Sequence, residues 1–161
     1  MDTGRIVQIN VSDGGVPKLP VPATTATRQG LTDDRQRNLK VHGGPNRALC
    51  LYSLERIINL QAEGHPIYAG STGENLTLAG VEWEHLVPGV RLRLGPEVVI
   101  EITSYTSPCP TIAGSFLDEQ FLRISQDHHP GWSRLYARLV TTGQLQIGDR
   151  VEILDDQGEE P

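Results

Sequence analysis

The sequence predicts a mainly β chain: an antiparallel β-barrel with two or three short helices on its flank. Apolar residues alternate with polar ones in many short runs, of which Val90-Arg91-Leu92-Arg93-Leu94 is the clearest. The 17 glycines and 11 prolines among 161 residues punctuate those runs as turns. Helical spacing of apolar residues is confined to a few stretches, too few for a fold built on layers of helix.

Arg5 to Ser12 has apolar residues at 7, 9 and 11 and reads as a strand, turned by Asp13-Gly14-Gly15. The proline-rich run Val16 to Pro22 suits only an extended edge or a loop. Ala23 to Gln29, with its threonines, forms a second strand, and Gly30 to Arg37 a polar turn. In Val41-His42-Gly43-Gly44-Pro45-Asn46-Arg47, two glycines and a proline forbid regular structure and allow close approach of the backbone to a ligand. Leu49 to Tyr52 follows as a short buried strand that takes Cys50 into the core. Ser53 is a good N-cap, Glu55 suits the helix start, and Leu54, Ile57, Ile58 and Ala62 form an apolar face ended by Gly64 and Pro66.

Gly70 to Asn75 is a second glycine-rich polar turn, feeding the strand Leu76-Thr77-Leu78. Val81 to Leu86 supplies one helical turn. Pro88-Gly89 starts the strand Val90 to Leu94, and Gly95-Pro96 turns it into Val98 to Thr103 as a hairpin. Phe116, Leu117, Gln120, Phe121 and Ile124 support another short helix, and Asp127 to Gly131 is loop. Leu135 to Val140 is a strand, Thr142-Gly143 turns, and Gly148-Asp149 leads into the last strand, Val151 to Leu154.

At this length one domain over residues 1–154 is expected, followed by an acidic, solvated tail at 155–161. A net charge of −6 disfavours a nucleic-acid binder. No apolar run is long enough to span a bilayer and no leader pattern is present, so no membrane association and a cytoplasmic location are expected. Two cysteines, Cys50 and Cys109, argue against a disulfide scaffold. Residues 28–56 carry Arg28, Arg35, Arg37, Lys40, Arg47 and Arg56 against Asp33, Asp34 and Glu55, a local excess of three positive charges on an acidic chain. Arginine outnumbers lysine there, and its planar fork suits phosphate or carboxylate.

The stretch that organises the chemistry is Ser107-Pro108-Cys109-Pro110-Thr111-Ile112. A cysteine between two prolines cannot continue a strand, because each proline lacks a ladder N–H and fixes its φ. Cys109 therefore belongs on a stiff loop leaving a sheet, either as a presented thiol or as a small buried turn residue. If this loop meets His42 to Arg47 and Ser71 to Asn75, the three offer a soft nucleophile, an imidazole, a guanidinium, a carboxylate and several N–H groups. Such a pocket suits an anionic ligand carrying sulfur or a soft metal.

His42-Gly43-Gly44-Pro45-Asn46-Arg47-Ala48, then Gly73-Glu74-Asn75-Leu76, then Ser107-Pro108-Cys109, in that order and spacing, resemble a MOSC domain. The family is named for the C-terminal domain of molybdenum-cofactor sulfurases; it includes amidoxime-reducing molybdenum enzymes and bacterial proteins that detoxify N-hydroxylated purines. The similarity runs from Gly4 to Leu154. It implies a barrel whose loop cysteine ligates molybdenum or carries sulfur as a persulfide, and Cys109 matches that position as catalytic residue and metal ligand. His42, Gly43, Gly44, Arg47, Glu74, Asn75 and Ser107 match positions that would bind a molybdopterin cofactor. Asn46 stands where related members often have aspartate, so no acid role is carried over to it. Modules that supply electrons or sulfur in larger relatives are not evident, so an external electron or sulfur donor protein is expected.

The resemblance leaves reduction of N-hydroxylated substrates and sulfur transfer both open. For Glu74, bonding to Ser71 or Thr72 within its own turn stands beside a role at the pterin; for His42, bracing of its turn stands beside ligation. Two other classes remain: a non-catalytic binding or adaptor module with the same barrel, and a zinc protein using His42, His128, His129 and a cysteine.

Overall fold

The alternation of apolar and polar residues resolves into eleven strands in the computed structural model, which describes residues 4–35 and 44–154. They are β1 (Gly4–Val11), β2 (Leu19–Val21), β3 (Ala23–Thr27), β4 (Gly30–Leu31), β5 (Leu49–Ser53), β6 (Leu76–Ala79), β7 (Arg91–Leu94), β8 (Val98–Thr106), β9 (Arg134–Thr141), β10 (Gly143–Gln146) and β11 (Arg150–Leu154). Seven of them close in the order β1-β11-β7-β8-β9-β5-β6 and back to β1, with Gly4 opposite Val151 at the closure. Closure leaves no free edge among those seven, and β2 continues from β1 beyond it. Ile6, Leu51, Leu76, Leu92, Ile100 and Ala137 are wholly buried in a single hydrophobic core.

The barrel is antiparallel except for one pair. β5 and β6 run parallel, Leu51 opposite Leu76 and Ser53 opposite Leu78. A parallel pair needs a crossover, and the α-helix Leu54–Ala62 lies within it. The Val90 to Thr103 hairpin forms as expected, with Leu94 opposite Val98.

The helix begins at Ser53, whose hydroxyl accepts the Arg56 N–H at 3.1 Å. Its buried face is Ile57 and Leu60, whereas Ile58, expected on that face, is 51 % exposed. Ser53→Ala should lower the unfolding free energy by about 1 kcal/mol in urea titration, because it leaves an N-terminal donor without its acceptor.

The helix expected over 116–124 does not form. The segment after Cys109 is a chain of 3-10 turns: Pro110–Ser115, Leu117–Glu119 and Phe121–Ile124. Asp118 and Glu119 adopt φ of 50° and 57°, and two left-handed residues in succession cannot continue an α-helix. The small sheet β10-β3-β4 was also not evident from periodicity: β4 interrupts the expected polar turn at Gly30, and β10 follows Thr142 directly. Leu31 and Leu145 on these strands are buried. The end of the expected polar turn at Gln36 and Arg37, the following residues 38–41, His42, Gly43 and the acidic tail lie outside the described residues. No helix among the described residues is long and apolar enough to cross a membrane.

Candidate functional site

Because side chains alternate across a strand, the register of β5, β9 and β8 divides these strands into two faces. Leu49, Ala137 and Ile102 face each other across the ladders, as do Leu51, Leu135 and Tyr105. On the opposite face lie Cys50, Tyr136 and Ser104, and next to them Arg134 and Thr106. An irregularity in β8 between Ile102 and Ser104 preserves this division while letting Thr103 bulge. All five residues of β5 are buried, so its outer face is covered as well as its inner one.

The Cys109 loop leaves β8 directly after Thr106. Cys109 is extended, with φ −139° and ψ 169°, the geometry that a following proline favours. Its thiol is half-buried and lies 2.8 Å from the Thr111 hydroxyl. The Cys109 carbonyl accepts the Ile112 N–H at 3.1 Å and so starts the 3-10 turn behind it. That turn is pinned to the Gly70 to Asn75 loop, since the Ser115 hydroxyl donates to Ser71 Oγ at 2.9 Å.

Tyr136 receives the arginine of the glycine-rich stretch. The Arg47 guanidinium carbon lies 5.4 Å from the centre of its ring. Burial pushes the Tyr136 phenol well above its ordinary value; the sulfurs of Cys50 and Cys109 add to this, and Arg134 and Arg47 oppose it. The charges of Cys50, Cys109, Arg134 and Arg47 all act on Tyr136, which keeps its proton. Both cysteines are free, and Cys50 sits 3.7 Å from the Thr106 hydroxyl. Burial raises the Cys50 thiol more than Arg134 lowers it. Of the two sulfurs, Cys109 is the one partly open to solvent.

Glu74 and Asn75 support this wall from behind. Glu74 is wholly buried: Oε2 accepts the Gly70 N–H at 2.9 Å and the Thr77 hydroxyl at 3.1 Å, and Oε1 accepts the Thr72 hydroxyl at 2.8 Å. Of the two roles open to Glu74, the loop-closing one accounts for these contacts. Burial raises its carboxyl above the ordinary range, and the three donors oppose that rise only in part. Gly70 is required here, because its φ is +92° and a Cβ would meet the Lys18 carbonyl at 2.5 Å.

Asn75 Oδ1 accepts the Cys50 N–H at 3.0 Å, its own N–H donates to the Cys50 carbonyl at 2.7 Å, and Nδ2 donates to Asp34 at 2.9 Å. Asp34 in turn holds Lys18 at 2.6 Å. Gly44 is exposed, at φ +89° ahead of the turn Pro45–Arg47, and Ser107 is exposed on the cysteine loop. Of the excess basic residues, Arg28 donates to the Leu139 and Val140 carbonyls, Arg35 pairs with Asp13, and Arg56 stacks on Trp132. Arg47 is the one of these at Tyr136.

An open polar cleft continues along the same wall, lined by Asn46, Arg47, Glu101, Thr103, Ser104 and Arg138. Glu101 Oε1 accepts from Arg91 Nε and Arg138 Nη2, each at 3.0 Å. Burial alone would raise the Glu101 carboxyl, but these two donors outweigh it and leave it below the ordinary value. Arg134, Tyr136 and Thr106 are not singled out by the sequence. The signal was present in β9, where Arg134, Tyr136 and Arg138 alternate with Leu135, Ala137 and Leu139. Among the described residues, no three histidine, cysteine or acidic side chains cluster to hold a metal ion, and His128 lies 3.0 Å from Ser125.

A closed barrel bearing a half-buried thiol on a proline-flanked loop, with an arginine–tyrosine pair on its outer face, defines the class of protein. The MOSC domain family model matches residues 38–152, and the chain belongs to that family. MOSC domains are associated as a family with the molybdenum cofactor. The chain is 31 % identical over 143 residues to the uncharacterized protein YflK of Bacillus subtilis, covering 87 % of this chain and 63 % of YflK. It is 36 % identical over 133 residues to protein YiiM of Escherichia coli, covering 80 % of this chain and 58 % of YiiM. The chain thus spans about three fifths of the length of these relatives. A protein named Reductase from Gibberella moniliformis is 29 % identical over 119 residues, 71 % of this chain and 21 % of that protein. Among solved structures, YiiM from Geobacillus stearothermophilus superposes with TM-score 0.72 at 23 % identity, over 94 % of this chain and 75 % of that one, a likeness of fold.

Proposed function

We propose that this chain binds a molybdopterin-type molybdenum cofactor, with Cys109 as the protein's sulfur ligand to the metal, and reduces N-hydroxylated compounds with electrons from an external donor protein. The observation that carries this reading is the half-buried Cys109 thiol on its proline-flanked loop, which leaves β8 beside the face that bears Arg134 and Tyr136, with Arg47 over the Tyr136 ring. A soft thiolate suits molybdenum, and guanidinium forks suit a phosphate. The donor set therefore fits the cofactor, which when bound supplies the two-electron redox chemistry.

The chain's own residues do the rest. Pro108 and Pro110 hold Cys109 extended, so the thiol needs little ordering on binding. The Thr111 hydroxyl, at 2.8 Å, can donate to the sulfur and fix its position. Tyr136 stays protonated beneath Arg47 and offers a neutral donor. Burial keeps Cys50 a thiol, which leaves Cys109 as the soft ligand. Reduction of an N–OH group to N–H takes up two electrons and two protons and releases water, and the donor protein supplies the electrons. The fungal relative named Reductase supports this branch over sulfur transfer through a Cys109 persulfide.

Protein made in a host that synthesises the cofactor should carry molybdenum and pterin in roughly equimolar amounts. Elemental analysis and the fluorescence of the oxidised pterin measure them. Folded protein that repeatedly carries neither would remove the cofactor from the reading.

A further inference from the structure

Arg134 is a buried cation whose partners are incomplete. It is 5 % exposed, Nη1 donates to the Thr72 carbonyl at 2.6 Å, and Nε is buried with no hydrogen-bond partner. No carboxylate among the described residues lies within ion-pair distance of it. The contrast with Arg123 is informative. Arg123 also has an unpartnered nitrogen, but it grips Glu63 through two bonds of 2.9 and 2.8 Å and stacks on Trp132. For Arg134 the connected acid is Glu74, reached only through Thr72: the Thr72 carbonyl takes Arg134 and its hydroxyl donates to Glu74.

An arginine cannot shed its charge, and a buried cation without a direct counter-ion is costly unless something arrives to neutralise it. Arg134 stands opposite Thr106, three residues before Cys109, on the same face of β9 as Tyr136. Its charge is felt by Cys50, Tyr52 and Tyr136.

We propose that Arg134 is an anion-recognition residue at the closed end of this wall, holding a phosphate-type oxyanion beneath the Cys109 loop. The anion is either the terminal phosphate of the cofactor proposed above or a free oxyanion; the inference rests on that reading only for the first source. A second guanidinium, Arg47, lies 5.4 Å from the Tyr136 ring centre, so this face carries positive charge from both arginines.

The test uses the full chain made without cofactor, titrated with inorganic phosphate against chloride at equal ionic strength. Phosphate at about 100-fold above its Kd should raise the thermal midpoint by roughly 5 °C. Arg134→Gln should weaken phosphate binding at least 10-fold in calorimetry, Arg134→Lys should keep part of it, and Arg150→Gln on exposed β11 should bind as the parent does. Undiminished phosphate binding in Arg134→Gln, or no binding by the parent, overturns the proposal. Should Arg134→Gln fail to fold, the parent decides alone: saturating phosphate should slow alkylation of Cys109 by iodoacetamide about 10-fold, and an unchanged rate overturns the proposal.

A cofactor-loaded chain that no longer responds to phosphate identifies the cofactor's phosphate as the occupant. A loaded chain that responds like the empty one identifies a free oxyanion. Phosphate binding that depends on Arg134, in protein that never carries molybdenum, would sink the cofactor reading and leave this site standing. Molybdenum-loaded protein whose empty form ignores phosphate would do the reverse.

Discussion

Replacing Cys109 with serine should lower turnover of an N-hydroxylated substrate by on the order of 10²-fold or more and leave the fold intact. The expectation follows from position. The thiol is half-buried, its hydrogen-bond contact is the Thr111 hydroxyl two residues on, and none of the packed core depends on it. Serine preserves shape but offers a hydroxyl that stays protonated at neutral pH, which removes the thiolate donor and cannot carry sulfur. Molybdenum content should fall with turnover, while the thermal midpoint moves by no more than about 1 °C. Cys50→Ser supplies the internal comparison: that sulfur is buried against Thr106 and lies outside the reaction, so activity should persist. Full activity in the Cys109 variant would exclude it from the mechanism.

Glu74→Ala should be the most damaging of the polar substitutions. It removes one carboxylate and leaves three buried donors without an acceptor: the Gly70 N–H and the Thr72 and Thr77 hydroxyls. A loss of about 3–5 kcal/mol in unfolding free energy is expected, and Thr72, which also holds Arg134, should shift with the loop.

Glu74→Gln isolates the charge. The ordinary glutamate value is 4.5, and burial lifts Glu74 above it in the folded chain. Between those two values the folded state holds a proton that the unfolded state has released. The contribution of this group is therefore fully present below 4.5 and declines as pH rises toward the folded value. Glutamine cannot ionise, so the stability of Glu74→Gln relative to the parent should improve as pH climbs through that window. Denaturant midpoints that keep a constant separation from pH 4 to 8 would show that Glu74 does not titrate as described.

The barrel was legible in the sequence where one face of a strand meets oil and the other water. Val90, Leu92 and Leu94 gave the hairpin for that reason. Beyond it, periodicity says nothing about partners: β5 is buried on both faces, so its apolar run carries no mark of its parallel neighbour β6. The 116–124 segment misled because Phe116, Phe121 and Ile124 have helical spacing, while the left-handed turn at Asp118 and Glu119 leaves no periodic trace. On the site, the loops could be read from their glycines and prolines, and Arg47 lies over the ring of Tyr136. Arg134 and Tyr136 escaped notice because two polar residues in a strand look like an ordinary solvent face until loops cover them. Glu74 illustrates the converse: its position stands out in sequence, yet its oxygens are spent on the loop itself.

The division of labour along β9 has a consequence for how such proteins diverge. Leu135, Ala137 and Leu139 seal the interior, while Arg134, Tyr136 and Arg138 lie on the opposite face, and the two sets interleave one residue at a time. Evolution can therefore rewrite every second letter and alter what is recognised without loosening the scaffold. The barrel can thus persist while the residues on its outer face change.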